Sequence, residues 1–143
     1  MRVLGVDLGS RRIGLAISDP DARFAFPLDA IESKGTRQDV AALRELITSR
    51  EIERVVVGLP LHMDGRAGPE AEAARAFAGA LSEAAGVPVD TLDERWTTLE
   101  AERALHADGR SAGKRRRARK SGERDSMAAS IILRTWLERE VSQ

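Results

Sequence analysis

Residues 1–18 read MRVLGVDLGSRRIGLAIS, and this stretch decides the fold. Residues 2–6 are aliphatic and β-branched enough to form a buried strand, and residues 13–17 form a second apolar run. Between them, Asp7-Leu8-Gly9-Ser10 is a turn signal. The pattern predicts a β-hairpin with the carboxylate of Asp7 at its mouth. A buried strand-end acid without a partner lowers stability, so Asp7 either closes an Asx-type turn or meets a cation, an amide or water.

The length and composition indicate one soluble domain over residues 1–143. A chain of this size buries about two-thirds of its unfolded surface and needs no covalent staples. Cysteine is absent, which excludes disulfide scaffolds and thiolate metal sites and fits a reducing compartment. No apolar run approaches the ~18 residues of a membrane span. We therefore expect a cytoplasmic protein with no membrane partner.

The net charge of zero conceals a strong asymmetry between one segment and the rest of the chain. A loop at about 108–121 contains seven basic residues and no acid within eleven positions: Arg110, Lys114, Arg115, Arg116, Arg117, Arg119 and Lys120. The remaining chain carries sixteen basic and twenty-three acidic residues. Such a segment repels itself, which predicts a mobile loop in the free protein and a polyanion as its partner. The alternative is a solvated loop that aids solubility.

The rest of the chain alternates strand and helix signals, which is typical of an α/β fold. Pro27 makes the third strand an edge or a bulge, and Gly86 is a C-terminal cap. Thr97 and Glu100 have the spacing of a capping box. We predict strands at 24–31, 55–57 and 87–92, and helices at 37–50, 70–85, 97–106 and 123–140.

Three carboxylates occupy comparable places in these elements. Asp7 ends the first strand, Glu94 follows the fifth strand, and Asp125 lies on the inward stripe of the last helix. If the strands run parallel, their carboxyl ends meet at one edge, where open α/β sheets bind ligands. Three acids there repel one another unless a cation relieves them, and oxygen ligands without His or Cys favour Mg²⁺ or Mn²⁺ over zinc. Asp93 points away from Glu94 on an extended segment, so we assign it to structure.

Four motifs in order carry a resemblance that spans nearly the whole chain. They are Asp7-Leu8-Gly9-Ser10-Arg11-Arg12-Ile13-Gly14-Leu15-Ala16, Val57-Gly58-Leu59-Pro60 with Met63-Asp64-Gly65, Asp93-Glu94-Arg95 with Thr97-Thr98, and Asp125 with Ala128-Ala129. Together they resemble the YqgF/RuvX family of nucleases. The resemblance implies a ribonuclease H-like fold, with a mixed five-stranded sheet whose first three strands are antiparallel and which is flanked by helices. It also implies that Asp7, Glu94 and Asp125 are catalytic metal ligands.

Members of this family are described as Holliday junction resolvases or as nucleases that mature the 5′ end of precursor 16S ribosomal RNA. The resemblance therefore implies a branched DNA or a precursor ribosomal RNA as partner. Three positions depart from the family pattern: His62 stands where Asn is usual, Trp96 replaces a smaller aliphatic residue, and Arg124 precedes Asp125. The first departure affects a substrate contact, and the third places a cation beside the metal site. All three acids are retained.

The implied mechanism is in-line attack of a metal-activated water on a phosphodiester, which leaves a 5′-phosphate. Asp7 bridges two Mg²⁺ or Mn²⁺ ions, and Glu94 and Asp125 each complete one coordination sphere. Arg11 or Arg12 holds a substrate phosphate, or is merely solvent-exposed in its turn. The basic segment contacts the nucleic-acid backbone, and since tyrosine is absent we expect recognition of shape more than of bases.

Two other classes of protein remain as alternatives. A non-catalytic nucleic-acid-binding module would keep the acids only to cap strands and loops. An actin-like ATP-binding domain shares the Asp-Leu-Gly motif, but needs two such domains to enclose a nucleotide. Oligomeric state is also open: a resolvase needs a two-fold dimer, whereas a single RNA cut needs one site. Trp136 and Leu137 lie on different sides of the last helix, so either one faces a partner or both pack in the core.

Overall fold

A computed structural model describes residues 1–97 and 123–140, with side chains of the last helix described from residue 126 onward. Within these residues the strands are β1 Val3–Leu8, β2 Arg12–Ser18, β3 Ala25–Glu32, β4 Arg54–Leu59 and β5 Val89–Asp93. The helices are α1 Thr36–Ser49, α2 Pro69–Ala85, a one-turn 3₁₀ helix Glu94–Trp96, and α3 Glu123–Glu140. The predicted helix at 97–106 and the predicted basic loop at 108–121 lie outside the described residues, apart from Thr97.

The strands form one open sheet in the order β3-β2-β1-β4-β5. β1 is antiparallel to β2, and β2 is antiparallel to β3. β4 is parallel to both β1 and β5. This confirms the predicted mixed sheet with three antiparallel strands first. Because β1, β4 and β5 run the same way, their carboxyl ends lie at one edge of the sheet, which we call the carboxyl edge.

The two faces of the sheet have separate cores, because successive strand residues point to opposite sides. α1 and α2 cover the face that carries Leu4, Val6 and Val57. α3 covers the face that carries Val3 and Val56. The predicted helix at 37–50 is confirmed as α1, which buries Val40, Leu43 and Ile47, and Gly86 ends α2 in the left-handed conformation with φ 70°.

The direction of α3 follows from its contacts with β4. Ile132 lies against Gly58 near the end of β4, whereas the Trp136 ring faces the guanidinium of Arg54 at the start of that strand. α3 therefore runs opposite to β4, and its first turn points to the carboxyl edge. Ser126 supports this placement, because its hydroxyl donates a hydrogen bond to the Leu28 carbonyl oxygen in β3.

Two further sequence predictions, on the third strand and on the last helix, have clear outcomes. β3 is an edge strand, as Pro27 indicated, and a register irregularity interrupts its pairing with β2. Trp136 and Leu137 are both buried against the sheet, so neither is left for a partner, and ordinary core packing is the correct alternative. Among the described helices, none is long and apolar enough to cross a membrane.

Candidate functional site

Asp7 lies inside β1 and belongs to the sheet, where it pairs with Gly14 of β2. Its side chain shares the α3 face with Val3 and is only 5% exposed. The turn itself comes later, where the Gly9 amide donates to the carbonyl oxygen of Arg12. A strand position this well buried does not fit an Asp that merely closes a turn. It fits an acid held rigidly at the carboxyl edge.

Glu94 reaches the same place from the end of β5. It is the first residue of the 3₁₀ helix and is half-buried. A methyl group built on Gly58 would stand 3.1 Å from Glu94 Oε2, so this carboxylate lies directly over the glycine. The parallel pairing of β1 with β4 ends at Val6 beside Val57, and the next residues along the two strands are Asp7 and Gly58. Neighbouring strands are about 4.8 Å apart, so Asp7 and Glu94 converge at Gly58.

Asp125 occupies the first turn of α3, one helical turn before Ala129. Ala129 packs on Gly5 of β1, two residues before Asp7. The N-terminus of α3 lies at the carboxyl edge. Position 125 is therefore at the end of the helix that is close to Asp7 and Glu94. Its side chain is outside the described residues, and within them no three His, Asp or Glu side chains form a metal-binding group.

The donor set of this edge fits a hard divalent cation. Asp7 and Glu94 supply carboxylate oxygens, which Mg²⁺ and Mn²⁺ prefer. A divalent cation would offset the repulsion between two carboxylates, one of which is almost fully buried. Asp125 is the third acid of the predicted ligand set. The assignment of the three acids as metal ligands stays a prediction.

Sequence reasoning did not identify the role of Arg95, the neighbour of Glu94. Arg95 Nη2 and Nε donate to the Asp93 carboxylate at 2.7 and 3.0 Å, and Arg95 Nη1 donates to the Met63 carbonyl oxygen at 3.2 Å. The guanidinium is the main reason that the pKa of Asp93 lies below its ordinary value. Asp93 is thus structural, as predicted. The signal for Arg95 was present in the Asp93-Glu94-Arg95 motif, but its loop contact spans 32 residues.

The predicted phosphate-binding arginines follow Asp7 closely: Arg11 lies in the β1–β2 turn and Arg12 is the first residue of β2. Arg11 is exposed and Arg12 half-buried, and the Arg11 carbonyl oxygen accepts from the Ser33 amide. The turn follows directly from the carboxyl end of β1, so both arginines lie near Asp7 in the fold. The other predicted nucleic-acid ligands, Arg110, Lys114, Arg115, Arg116, Arg117, Arg119 and Lys120, lie outside the described residues.

The three departures from the family pattern have different outcomes. His62 is exposed in the loop after β4, where its Nε2 would be 2.7 Å from a methyl group on Gly68. Trp96 is 62% exposed, and the guanidinium of Arg139 lies 4.7 Å from its ring centre. The Arg124 side chain lies outside the described residues.

A solved structure with the same architecture defines the class of fold. The chain superimposes on RuvC of Thermus thermophilus in complex with a Holliday junction substrate, with a TM-score of 0.60, 19% identity, and coverage of 99% of this chain and 97% of that one. The fold is therefore RuvC-like and belongs to the ribonuclease H-like class, as predicted.

The family assignment follows from the sequence match. The profile of RuvX, described as Holliday junction resolvase, matches residues 1–139, and this chain belongs to the RuvX family. A protein of Anaeromyxobacter dehalogenans named "Putative pre-16S rRNA nuclease" is 48% identical over 97% of this chain and 98% of its own length. A protein of the same name from Pelotomaculum thermopropionicum is 45% identical, over 96% of this chain and 87% of its own.

Proposed function

We propose that residues 1–143 act as a single divalent-metal-dependent endonuclease domain that hydrolyses phosphodiester bonds in structured nucleic acid. The observation that carries the proposal is the convergence of the Asp7 and Glu94 carboxylates at Gly58. The first turn of α3, with Asp125, is directed to the same edge. Membership of the RuvX family and the name of the close relatives support a nuclease over a binding module or an ATP-binding domain.

Asp7, Glu94 and Asp125 would hold two Mg²⁺ or Mn²⁺ ions, with Asp7 as the ligand common to both. Bound ions of this kind supply a nucleophilic water at neutral pH and stabilise the charge on the leaving oxygen. The chain contributes rigidity. Asp7 is fixed on the central strand, with β2 and β4 on either side, and Glu94 is fixed in a capped 3₁₀ turn. Such fixed geometry removes the cost of orienting the acids during the reaction.

Binding of the nucleic acid would fall to the basic residues. Arg11 lies in the turn after β1 and Arg12 is the first residue of β2, so both can contact a phosphate next to the scissile one. The basic segment Arg110, Lys114, Arg115, Arg116, Arg117, Arg119 and Lys120 would contact more distant phosphates. Phosphate contacts position a polyanion without reading its sequence, so we infer recognition of shape.

We propose the precursor of 16S ribosomal RNA as the first candidate substrate, in the cytoplasm, because the curated relatives bear that name. A four-way DNA junction is the second candidate, favoured by the family description. The two differ in what they require of the assembly. A junction needs paired cuts and hence a two-fold dimer, whereas one RNA cut needs only a monomer.

The test is cleavage of both substrates, a precursor RNA with its 5′ leader and a four-way DNA junction, in Mg²⁺ or Mn²⁺. Asp7→Asn keeps the shape of the side chain and removes its charge, and we expect cleavage to fall at least about 100-fold. Asp21→Asn is the matched control, because Asp21 is exposed in the turn between β2 and β3. Equal cleavage by wild type and Asp7→Asn would exclude the metal mechanism. No cleavage by either protein would favour the binding module.

A further inference from the structure

The guanidinium of Arg95 joins two segments that meet at the carboxyl edge. On one side it binds the carboxylate of Asp93, the last residue of β5, through Nε at 3.0 Å and Nη2 at 2.7 Å. On the other side Nη1 donates to the carbonyl oxygen of Met63, in the loop after β4. Its side chain is 33% exposed and that of Asp93 only 15% exposed. Arg95 therefore links the end of β5 to the loop after β4.

The loop that Arg95 contacts is closed by its own hydrogen bonds. The His62 amide donates to the Arg66 carbonyl oxygen, and the Gly65 amide donates to that of His62. Gly65 has φ 89°, and a methyl group built on it would stand 3.3 Å from Arg95 Nη1. Glycine is thus favoured by the backbone conformation, and its lack of a side chain lets the guanidinium approach without displacement. The loop backbone that Arg95 contacts is therefore held in one conformation by its own hydrogen bonds.

Asp93 and Arg95 also fix the backbone of Glu94, which lies between them. The Asp93 carboxylate accepts from the Arg95 amide at 2.9 Å and so caps the 3₁₀ helix at its start. At the other end, the Thr97 hydroxyl donates to the Glu94 carbonyl oxygen at 2.8 Å. A single 3₁₀ turn has little stability of its own. The contacts of its neighbours therefore determine where the Glu94 carboxylate lies relative to Gly58 and Asp7.

We infer that Arg95, through its fork to Asp93 and its bond to Met63, is the positioning residue that holds the Glu94 carboxylate at the metal-binding edge. This inference rests on the proposed function. Arg95 acts through Glu94 and contacts neither metal nor substrate. Three of its five N–H groups are directed to protein oxygens, which matches a structural fork better than a phosphate ligand.

The experiment compares Arg95→Gln, Arg95→Lys and Asp93→Asn with Arg75→Gln in the full chain. Arg75 is the matched control because it forms an ion pair with Glu72 on the exposed side of α2, which covers the face of the sheet opposite to Asp7. Three quantities are measured: Mn²⁺ affinity by calorimetry without substrate, amide hydrogen exchange of residues 61–66, and kcat and KM for cleavage. Circular dichroism confirms that each variant is folded.

For Arg95→Gln we expect Mn²⁺ affinity to fall about 10- to 100-fold, as for other residues that orient metal ligands. Exchange of residues 61–66 should accelerate, and kcat should fall while KM stays nearly constant. Asp93→Asn should change Mn²⁺ affinity, amide exchange and kcat in the same direction. Arg95→Lys should behave almost like Arg95→Gln, because an ammonium lacks the planar fork. Arg75→Gln should match wild type.

Two results would overturn the inference while leaving the proposed function intact. In the first, wild type cleaves, Asp7→Asn does not, and Arg95→Gln binds Mn²⁺ as tightly as Arg75→Gln. In the second, Arg95→Gln raises KM at constant kcat and Arg95→Lys restores it, which would make Arg95 a direct phosphate ligand. If wild type neither binds Mn²⁺ nor cleaves, the proposed function falls, and the positioning role falls with it.

Discussion

Gly58 lies beneath Glu94 at the carboxyl edge, with no room between them for a side chain. A methyl group on Gly58 would stand 3.1 Å from Glu94 Oε2 and 2.6 Å from Ile132 Cδ1. Gly58 sits within the regular strand β4, so the position requires glycine for space and not for backbone conformation. The small size of Gly58 therefore allows the Glu94 carboxylate to lie against β4, beside the strand that carries Asp7.

Gly58→Ala should leave the protein folded but reduce its cleavage activity. The added methyl group displaces the Glu94 carboxylate and the buried Ile132 side chain. Overpacking of this kind costs about 1–3 kcal/mol of unfolding free energy. Urea unfolding measures that cost, and cleavage is measured at a temperature at which the variant is folded. Wild-type cleavage by Gly58→Ala would show that the position of Glu94 does not matter.

Gly79→Ala tests the opposite case, in which glycine has no packing role. Gly79 lies inside α2, and among the described residues a methyl group there would meet no atom of another element within 4 Å. Alanine restricts the unfolded chain and favours the helix, so the free energy of unfolding should rise by about 0.5–1 kcal/mol. Cleavage should be unchanged. A loss of stability in urea unfolding would mean that the helix surface at Gly79 is covered.

Gly5→Ala should separate α3 from the sheet. A methyl group on Gly5 would stand 2.8 Å from Leu133 Cβ and 2.9 Å from the carbonyl oxygen of Ala129. Neither atom can rotate away, so the helix backbone itself must shift. We expect the free energy of unfolding to fall by about 3 kcal/mol, at the upper end of overpacking costs. Cleavage should also weaken, because Asp125 moves with the helix. A loss below about 0.5 kcal/mol, which is typical of surface substitutions, would contradict this close packing.

The sequence predicts the elements well because their signals are local. The apolar runs around Asp7 and the left-handed cap at Gly86 depend on neighbouring residues only, and both are confirmed. The sheet order came from a family resemblance, since hydrophobic patterns do not specify which strands pair. The functions of Gly58 and Arg95 were not foreseen. The Gly58–Glu94 and Arg95–Met63 contacts each join residues more than 30 positions apart, and the local sequence does not specify such partners.

Asp93 should make stability depend on pH in the acid range. The Arg95 guanidinium and amide hold the pKa of Asp93 below its ordinary value of 3.8 in the folded state. Its stabilising contribution is therefore fully present above that ordinary value and is lost as pH falls through the depressed folded pKa. Urea unfolding from pH 2 to 7 should give wild-type and Asp93→Asn curves that differ at neutral pH and converge in acid. Arg95→Gln should show the same convergence, because it removes the main cause of the shift. Parallel curves at all pH values would contradict the pairing.

Binding of nucleic acid should depend steeply on salt, and the basic segment should account for much of that slope. Each phosphate contact to a duplex contributes about −0.9 to the slope of log affinity against log salt. Replacing Arg115, Arg116, Arg117 and Arg119 by Gln should therefore reduce the slope by up to about 3.6 units. The charge-matched control replaces four exposed arginines on or next to α1 and α2, Arg37, Arg44, Arg50 and Arg75. α1 and α2 cover the face of the sheet opposite to α3, so replacing these four arginines should leave the slope nearly unchanged. Equal slopes for the two quadruple variants would mean that net charge, and not the basic segment, attracts the nucleic acid.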